Sequence, residues 1–147
     1  MLYSRIISFT QISIKAKEFN FLTNEGKIEV LNLVLCEIDG LLSIDEIIKR
    51  VPNAYHISIS PSYISPTTSQ NLAKLKQQQK IKVLELFTID VLIDIGDFWD
   101  FLQENLDPKS KITLIYSFYI RSIEFFEVLK QMIQCWEPFD ERPLLKC

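Results

Sequence analysis

Glycine is scarce in this chain: three in 147 residues, standing apart as Gly26, Gly40 and Gly96. A loop that cradles phosphates needs several glycines close together, so a nucleotide-binding loop of that kind is not encoded. Tight hairpins, which lean on glycine for positive φ, are disfavoured by the same shortage, and composition favours helices. Histidine is scarcer still. His56 is the only one, set in a hydroxyl-rich stretch with no acid, serine nucleophile or cysteine at an interpretable spacing, so general-base and triad chemistry have no sequence support. Cys36, Cys135 and Cys147 are an odd, widely spaced set without a C-x-x-C pair, which argues against a disulfide framework or zinc site and points to a reducing, cytoplasmic home. The 16 basic and 19 acidic residues leave a net charge of −3 with no basic block, so nucleic acid is not an expected partner. The first residues lack the continuous apolar core and small-residue cleavage site of a secretory signal.

Long uninterrupted apolar runs are also missing. The densest stretch, KITLIYSFYIRSIEFFEVLKQMIQCW over 111–136, is broken by Lys111, Arg121, Glu124, Glu127 and Lys130, whereas a membrane span needs about 20 nearly uncharged residues. No membrane span is expected. Ile112, Ile115, Tyr119, Ile123, Phe126, Leu129, Ile133 and Trp136 recur at steps of three or four, the stripe of a core-facing helix. Further apolar residues off that stripe predict a helix, or helix pair, sandwiched between other elements.

At 48% apolar and 24% charged, the chain has the composition and length of one globular unit. Residues 6–16 alternate well enough to predict a strand. From Lys27 the text KIEVLNLVLCEI reads as a helix, with Ile28, Leu31, Leu35 and Ile38 on one face and Asp39-Gly40 as its stop. Ser43-x-x-Glu46 matches a capping box for a short helix ended by Pro52. The proline- and serine-rich stretch 52–69 reads as a long loop with one short strand around His56 to Ile59. Ser69 caps a predicted helix reaching Phe87, Thr88 offers a fresh cap, Gly96-Asp97 opens a turn into FWDFLQENL, and Asp107-Pro108 signals the start of the final helical run. No internal repeat is discerned.

Asp90, Asp94, Asp97 and Asp100 recur every three or four positions, a spacing that suits a divalent ion on one helical face. A solvated face with two caps is the plainer reading, because Gly96 interrupts the helix that would align them. No metal, cofactor or catalytic residue is therefore expected.

From Lys80, KIKVLELFTIDVLIDI and then DPKSKITLIYSFYIRSIEFFEVLKQMIQCW resemble the Ras exchanger motif, the helical N-terminal module of Ras-family guanine nucleotide exchange factors. Its Thr-Leu-x-x-Leu-Ile helix corresponds to Thr88-Ile89-Asp90-Val91-Leu92-Ile93. Its second signature keeps Tyr116, Glu124 and Leu129, has Tyr119 in place of its Phe and Phe125-Phe126 in place of its Leu-Leu pair, and departs at Ile115, Ser117 and Ser122. The likeness covers residues 80 to about 140, and Ser122 can still cap a second helix. It implies a truncated or stand-alone helical module without exchange activity.

The resulting expectation is a mainly α protein, a small helical bundle in the C-terminal half with a short strand or hairpin near the N-terminus. Residues 1–68 form an N-terminal region and 69–147 the helical module. By the resemblance it acts in small-GTPase signalling, contacting an exchange-factor catalytic domain or a Ras-family GTPase through Thr88, Leu92, Ile93, Ile112, Tyr116, Tyr119, Phe125, Phe126, Leu129 and Trp136. The alternative is a structural or scaffold α+β protein with no link to GTPases.

Overall fold

The computed structural model describes residues 5–117 and 121–147. Its centre is a parallel sheet, not a helical bundle. Six strands follow one another in chain order: β1 (Ile6–Thr10), β3 (Val30–Val34), β5 (His56–Ile59), β6 (Ile81–Ile89), β7 (Leu106–Tyr116) and β8 (Leu144–Lys146). Two short strands, β2 (Ser13–Ile14) and β4 (Glu37–Ile38), form a second parallel pair just beyond β1 and β3. The helices α1 (Ala16–Thr23), α2 (Ile44–Lys49), α3 (Thr68–Lys74), α4 (Ile95–Asn105) and α5 (Ile123–Gln134) lie in the connections.

The register exposes a repeat. Ile6, Val30, His56, Val83, Lys111 and Leu144 lie side by side across the sheet, at steps of 24, 26, 27, 28 and 33 residues. One residue on, Ile7, Leu31, Ile57, Leu84, Ile112 and Leu145 form the next row, and Phe9, Leu33, Ile59, Leu86 and Leu114 the row after the polar one between. These two rows point inward: Leu31, Ile57, Leu84, Ile112 and Leu114 are fully buried. The chain is therefore a solenoid of strand–helix units, and the expectation of no internal repeat is corrected.

Because no strand is placed out of order, every crossover turns the same way, which puts all the helices on one side of the sheet. Strands stack about 4.8 Å apart and packed helices about 8–10 Å apart, so stacking such units bends the sheet inward on its strand side.

Recurrent local chemistry sets each turn. The residue four positions after the first inward residue takes a left-handed backbone at Gln11 (φ 54), Leu35 (φ 52) and Thr88 (φ 53); Gln11 and Leu35 stand just past the ends of β1 and β3, and Thr88 sits in a bulge one residue before the end of β6. The next position is Ile12, Cys36, Ser62 or Ile89. Cys36 Sγ donates to the carbonyl of Phe9 (3.2 Å), and Ser62 Oγ to that of Ile59 (3.0 Å). Between helices, Asp45 is buried and accepts hydrogen bonds from Thr68 (2.8 Å) and Asn71 (2.9 Å). Asn105 is buried too: it accepts from the Gln77 N–H (2.7 Å) and donates to Leu75 and Phe101 carbonyls (2.9 Å each). Such fully satisfied polar ties hold neighbouring units in one alignment.

Several expectations need correcting. The predicted helix from Lys27 is β3, whose Leu31 and Leu33 point inward while Val30, Asn32 and Val34 do not. The helix expected from Ser69 to Phe87 ends at Lys74 and gives way to β6. Thr88 sits in a bulge one residue before that strand ends at Ile89, and Asp94 is the cap of α4, accepting from the Asp97 N–H at 2.9 Å. Gly96 sits inside the first turn of that helix without ending it. Asp107-Pro108 lie near the start of β7, and the last helix begins only at Ile123. Its buried residues are Phe125, Leu129 and Ile133, and Ile123 of the expected stripe is 75% exposed. The strand around His56 is β5, and Ser43 does precede a helix, but its hydroxyl makes no cap bond and lacks a partner. The continuous sheet crosses residue 68 between β5 and β6.

Two substitutions test this architecture with opposite signs. Leu84→Ala removes a fully buried side chain from the central inward row, and urea unfolding should show a loss of about 2–5 kcal/mol. Thr88→Gly relieves a β-branched residue at positive φ and should raise stability by about 1 kcal/mol in the same assay.

Candidate binding face on the uncovered sheet

An all-parallel sheet normally has both faces covered by its crossover helices. Here crossovers of one hand put the described helices on one face, and the other has none among the described residues. It carries the outward rows: Val30, His56, Val83 and Lys111; then Ser8, Asn32, Ser58, Glu85 and Thr113; then Thr10, Val34, Phe87 and Ile115. A polar row thus runs between two rows richer in apolar side chains. Val30, Val34, Val83 and Phe87 are half-buried by their neighbours along the row, and Ile115 is 38% exposed.

The polar row is lightly cross-linked, to the row beside it through Glu85 and within itself through Asn32. His56 Nε2 lies 3.5 Å from Glu85 Oε1 on the adjacent strand, and Asn32 Nδ2 donates to Ser8 Oγ at 3.4 Å. Pairs this exposed are worth about 0.2–1 kcal/mol each, enough to orient side chains and too little to hold the sheet together. Ser58, a short side chain beside longer ones, is only 5% exposed.

Sequence spacing gave His56 no acidic neighbour; the fold supplies Glu85, twenty-nine residues on. Ser58 lies on the same face, yet no hydrogen bond joins it to His56 among the described residues. Two cavities among the described residues lie elsewhere, one between α2 and α3 beside Asp45 and Asn71, the other beside α1. The backbone N–H groups of the inner strands are spent on the ladder. No cluster of three or more metal-ligating side chains occurs among the described residues, and no described helix is long and apolar enough to cross a membrane.

The residues singled out by the exchanger resemblance do not converge on one surface. Ile93, Ile112 and Leu129 are buried, Leu92 is 48% exposed, and Thr88 is exposed at the end of β6. Tyr116, Phe125 and Phe126 form an edge-to-face group with ring centroids 5.6–5.7 Å apart, and Trp136 meets Trp99 edge-on at 5.3 Å. Tyr119 lies outside the described residues. Val34, Val83, Phe87 and Glu85, which build the face, were overlooked because their segments read as helices. The signal that could have found them is the recurring pair of inward residues followed three positions later by Ile12, Cys36, Ser62 or Ile89.

No family model matches this chain, and neither curated proteins nor solved structures show a match.

Tyr116 offers a probe of the aromatic group. Its hydroxyl accepts from the Ile93 N–H at 3.5 Å, and burial pushes its pKa up from 10.0 to about 12. The folded state thus holds that proton more tightly than the unfolded one, so its contribution is intact below pH 10 and is lost between pH 10 and about 12. Denaturation measured across this range should show a steeper alkaline loss for the wild type than for Tyr116→Phe.

Proposed function

We propose that this chain is a non-catalytic scaffold of the leucine-rich-repeat kind that binds a protein partner on its uncovered sheet face. The observation that carries the reading is a six-stranded parallel sheet whose strands stand in chain order, an order that crossovers of one hand turn into helices on one side. Strand–helix units of about 20–29 residues, with apolar residues at alternate strand positions and Cys or Asn after the strand, define such solenoids, and their inward-curving strand face is an extended binding surface. The half-exposed Val30, Val34, Val83, Phe87 and Ile115 give that surface apolar anchors. Asn32, His56, Glu85 and Thr113 supply directional hydrogen bonds between them. This mixture suits another protein's surface, where an apolar centre and a few polar contacts act together.

The scaffold alternative is thereby favoured over small-GTPase signalling. That role rested on a helical packing of residues 80 to 136, which β6 and β7 replace, and no comparison supports it.

A capture experiment with three baits tests the proposal: wild type, Val34→Glu/Phe87→Glu on the sheet face, and Lys49→Glu/Lys74→Glu on the helical side. Circular dichroism should show all three folded. Proteins retained by the wild type and the helical-side variant should fall at least about tenfold with the sheet-face variant, a difference of about 1.4 kcal/mol. Equal retention by all three would overturn the assignment.

A further inference from the structure

On the helical side of the sheet, between the C-terminal ends of α1 and α2, lies a cavity of ≈ 360 Å³ whose charged residues are all basic. Lys49 and Arg50 line it together with the amides of Asn20 and Asn24, and no carboxylate does. Neither cation stands in an ion pair among the described residues. Other polar groups of the lining are already engaged: Thr23 Oγ1 donates to the Phe19 carbonyl at 2.8 Å, and the Gly26 carbonyl accepts from Asn53 Nδ2 at 2.6 Å. A helix C-terminus attracts cations, which accounts for where Lys49 and Arg50 stand. It does not account for their neighbours' unmet hydrogen bonds. Arg50 Nε and Asn20 Oδ1 are both buried and have no hydrogen-bond partner among the described residues. An unpaired buried polar atom costs stability, more so on a charged group. A donor and an acceptor left unmet beside one cavity fit a ligand that brings both an acceptor and a donor.

We propose that this cavity binds a small phosphate monoester that also carries a hydroxyl group, with its phosphate on Arg50 and Lys49 and its hydroxyl donating to Asn20. The planar guanidinium matches phosphate oxygens two at a time, and the lysine ammonium adds a point charge. Two full positive charges exceed the roughly half negative charge at each helix end, so a doubly charged anion is attracted on balance. A carboxylate, with one charge, uses only one of the two cations. The Arg50 guanidinium makes no hydrogen bond among the described residues, so turning it toward a ligand breaks none. Ligand cavities run from about 300 to 1,000 Å³, and ≈ 360 Å³ lies at the small end, which suits a compact molecule and not a segment of another chain. The inference does not depend on what the uncovered sheet face binds.

Nitrogen-15 NMR on the full chain tests it, with glycerol 3-phosphate, inorganic phosphate and acetate as probes at constant ionic strength. Glycerol 3-phosphate should shift the Arg50 Nε–H signal saturably, with a Kd of about 1 mM or tighter. Inorganic phosphate should bind more weakly, and acetate at least tenfold more weakly than glycerol 3-phosphate. Arg50→Met keeps the stem and drops the donors, and should weaken glycerol 3-phosphate at least tenfold, read from the Asn20 side-chain amide. Asn20→Ala should weaken glycerol 3-phosphate but leave inorganic phosphate unchanged, a split that a general loss of packing does not produce. As a second route to the cations, Lys49→Glu/Lys74→Glu should lose glycerol 3-phosphate while keeping the sheet-face partners, and Val34→Glu/Phe87→Glu should do the reverse, so the two readings fail separately. The proposal is overturned by a wild type with no saturable shift up to about 50 mM, by acetate binding as tightly as glycerol 3-phosphate, or by wild-type affinity in Arg50→Met.

Discussion

Each strand here passes its backbone hydrogen bonds to the next strand along the chain, always in parallel. That constraint organises the rest. A parallel return needs a crossover, the crossovers share one hand, and the helices are thereby confined to one side. The inward rows beginning at Ile7 and Phe9 become a continuous apolar core. The outward rows are left for something other than this chain's own helices.

Energetically the structure divides its labour. Apolar burial of Leu31, Ile57, Leu84 and Ile112 supplies the driving force, which is non-directional and would tolerate sliding between units. Direction comes from groups that function only in one alignment: Asp45 between Thr68 and Asn71, Asn105 spanning the turn at Gln77 and α4, and Cys36 under the Phe9 carbonyl. An unpaired buried polar group costs about 1–3 kcal/mol, so a shifted unit would be penalised at each of these points. On the uncovered face the pairs His56–Glu85 and Asn32–Ser8 are longer and more exposed, and so weaker.

Parts of this were legible in the residues. Alternation located β1, proline and hydroxyl punctuation isolated β5, and Gly96-Asp97 with Trp99 and Leu102 marked α4. The misreadings share one cause. A strand buried in a parallel sheet need not alternate cleanly, and runs such as VLNLV or ITLIY offer hydrophobic positions to both a period of two and a period of 3.6. Leu31 and Leu35 satisfy a helical step as readily as Leu31 and Leu33 satisfy a strand. The likeness to an exchanger module arose in that ambiguity, since Ile112 to Trp136 reads as one helical run until β7 and α5 are seen as different elements. The repeat was hidden because its marker position varies among Ile12, Cys36, Ser62 and Ile89, whose shared role is to follow a turn and not to share a chemistry.

By itself the sequence determined what is scarce: isolated glycines, a single histidine, no long uncharged run. Such properties depend on composition and short-range spacing, which no folding is needed to read. Tertiary structure decided which period each apolar run obeys, that Glu85 stands beside His56, and that Val34, Phe87 and Ile115 share a surface. Those outcomes depend on hydrogen-bond register between segments more than twenty residues apart, and register is a property of the paired strands together.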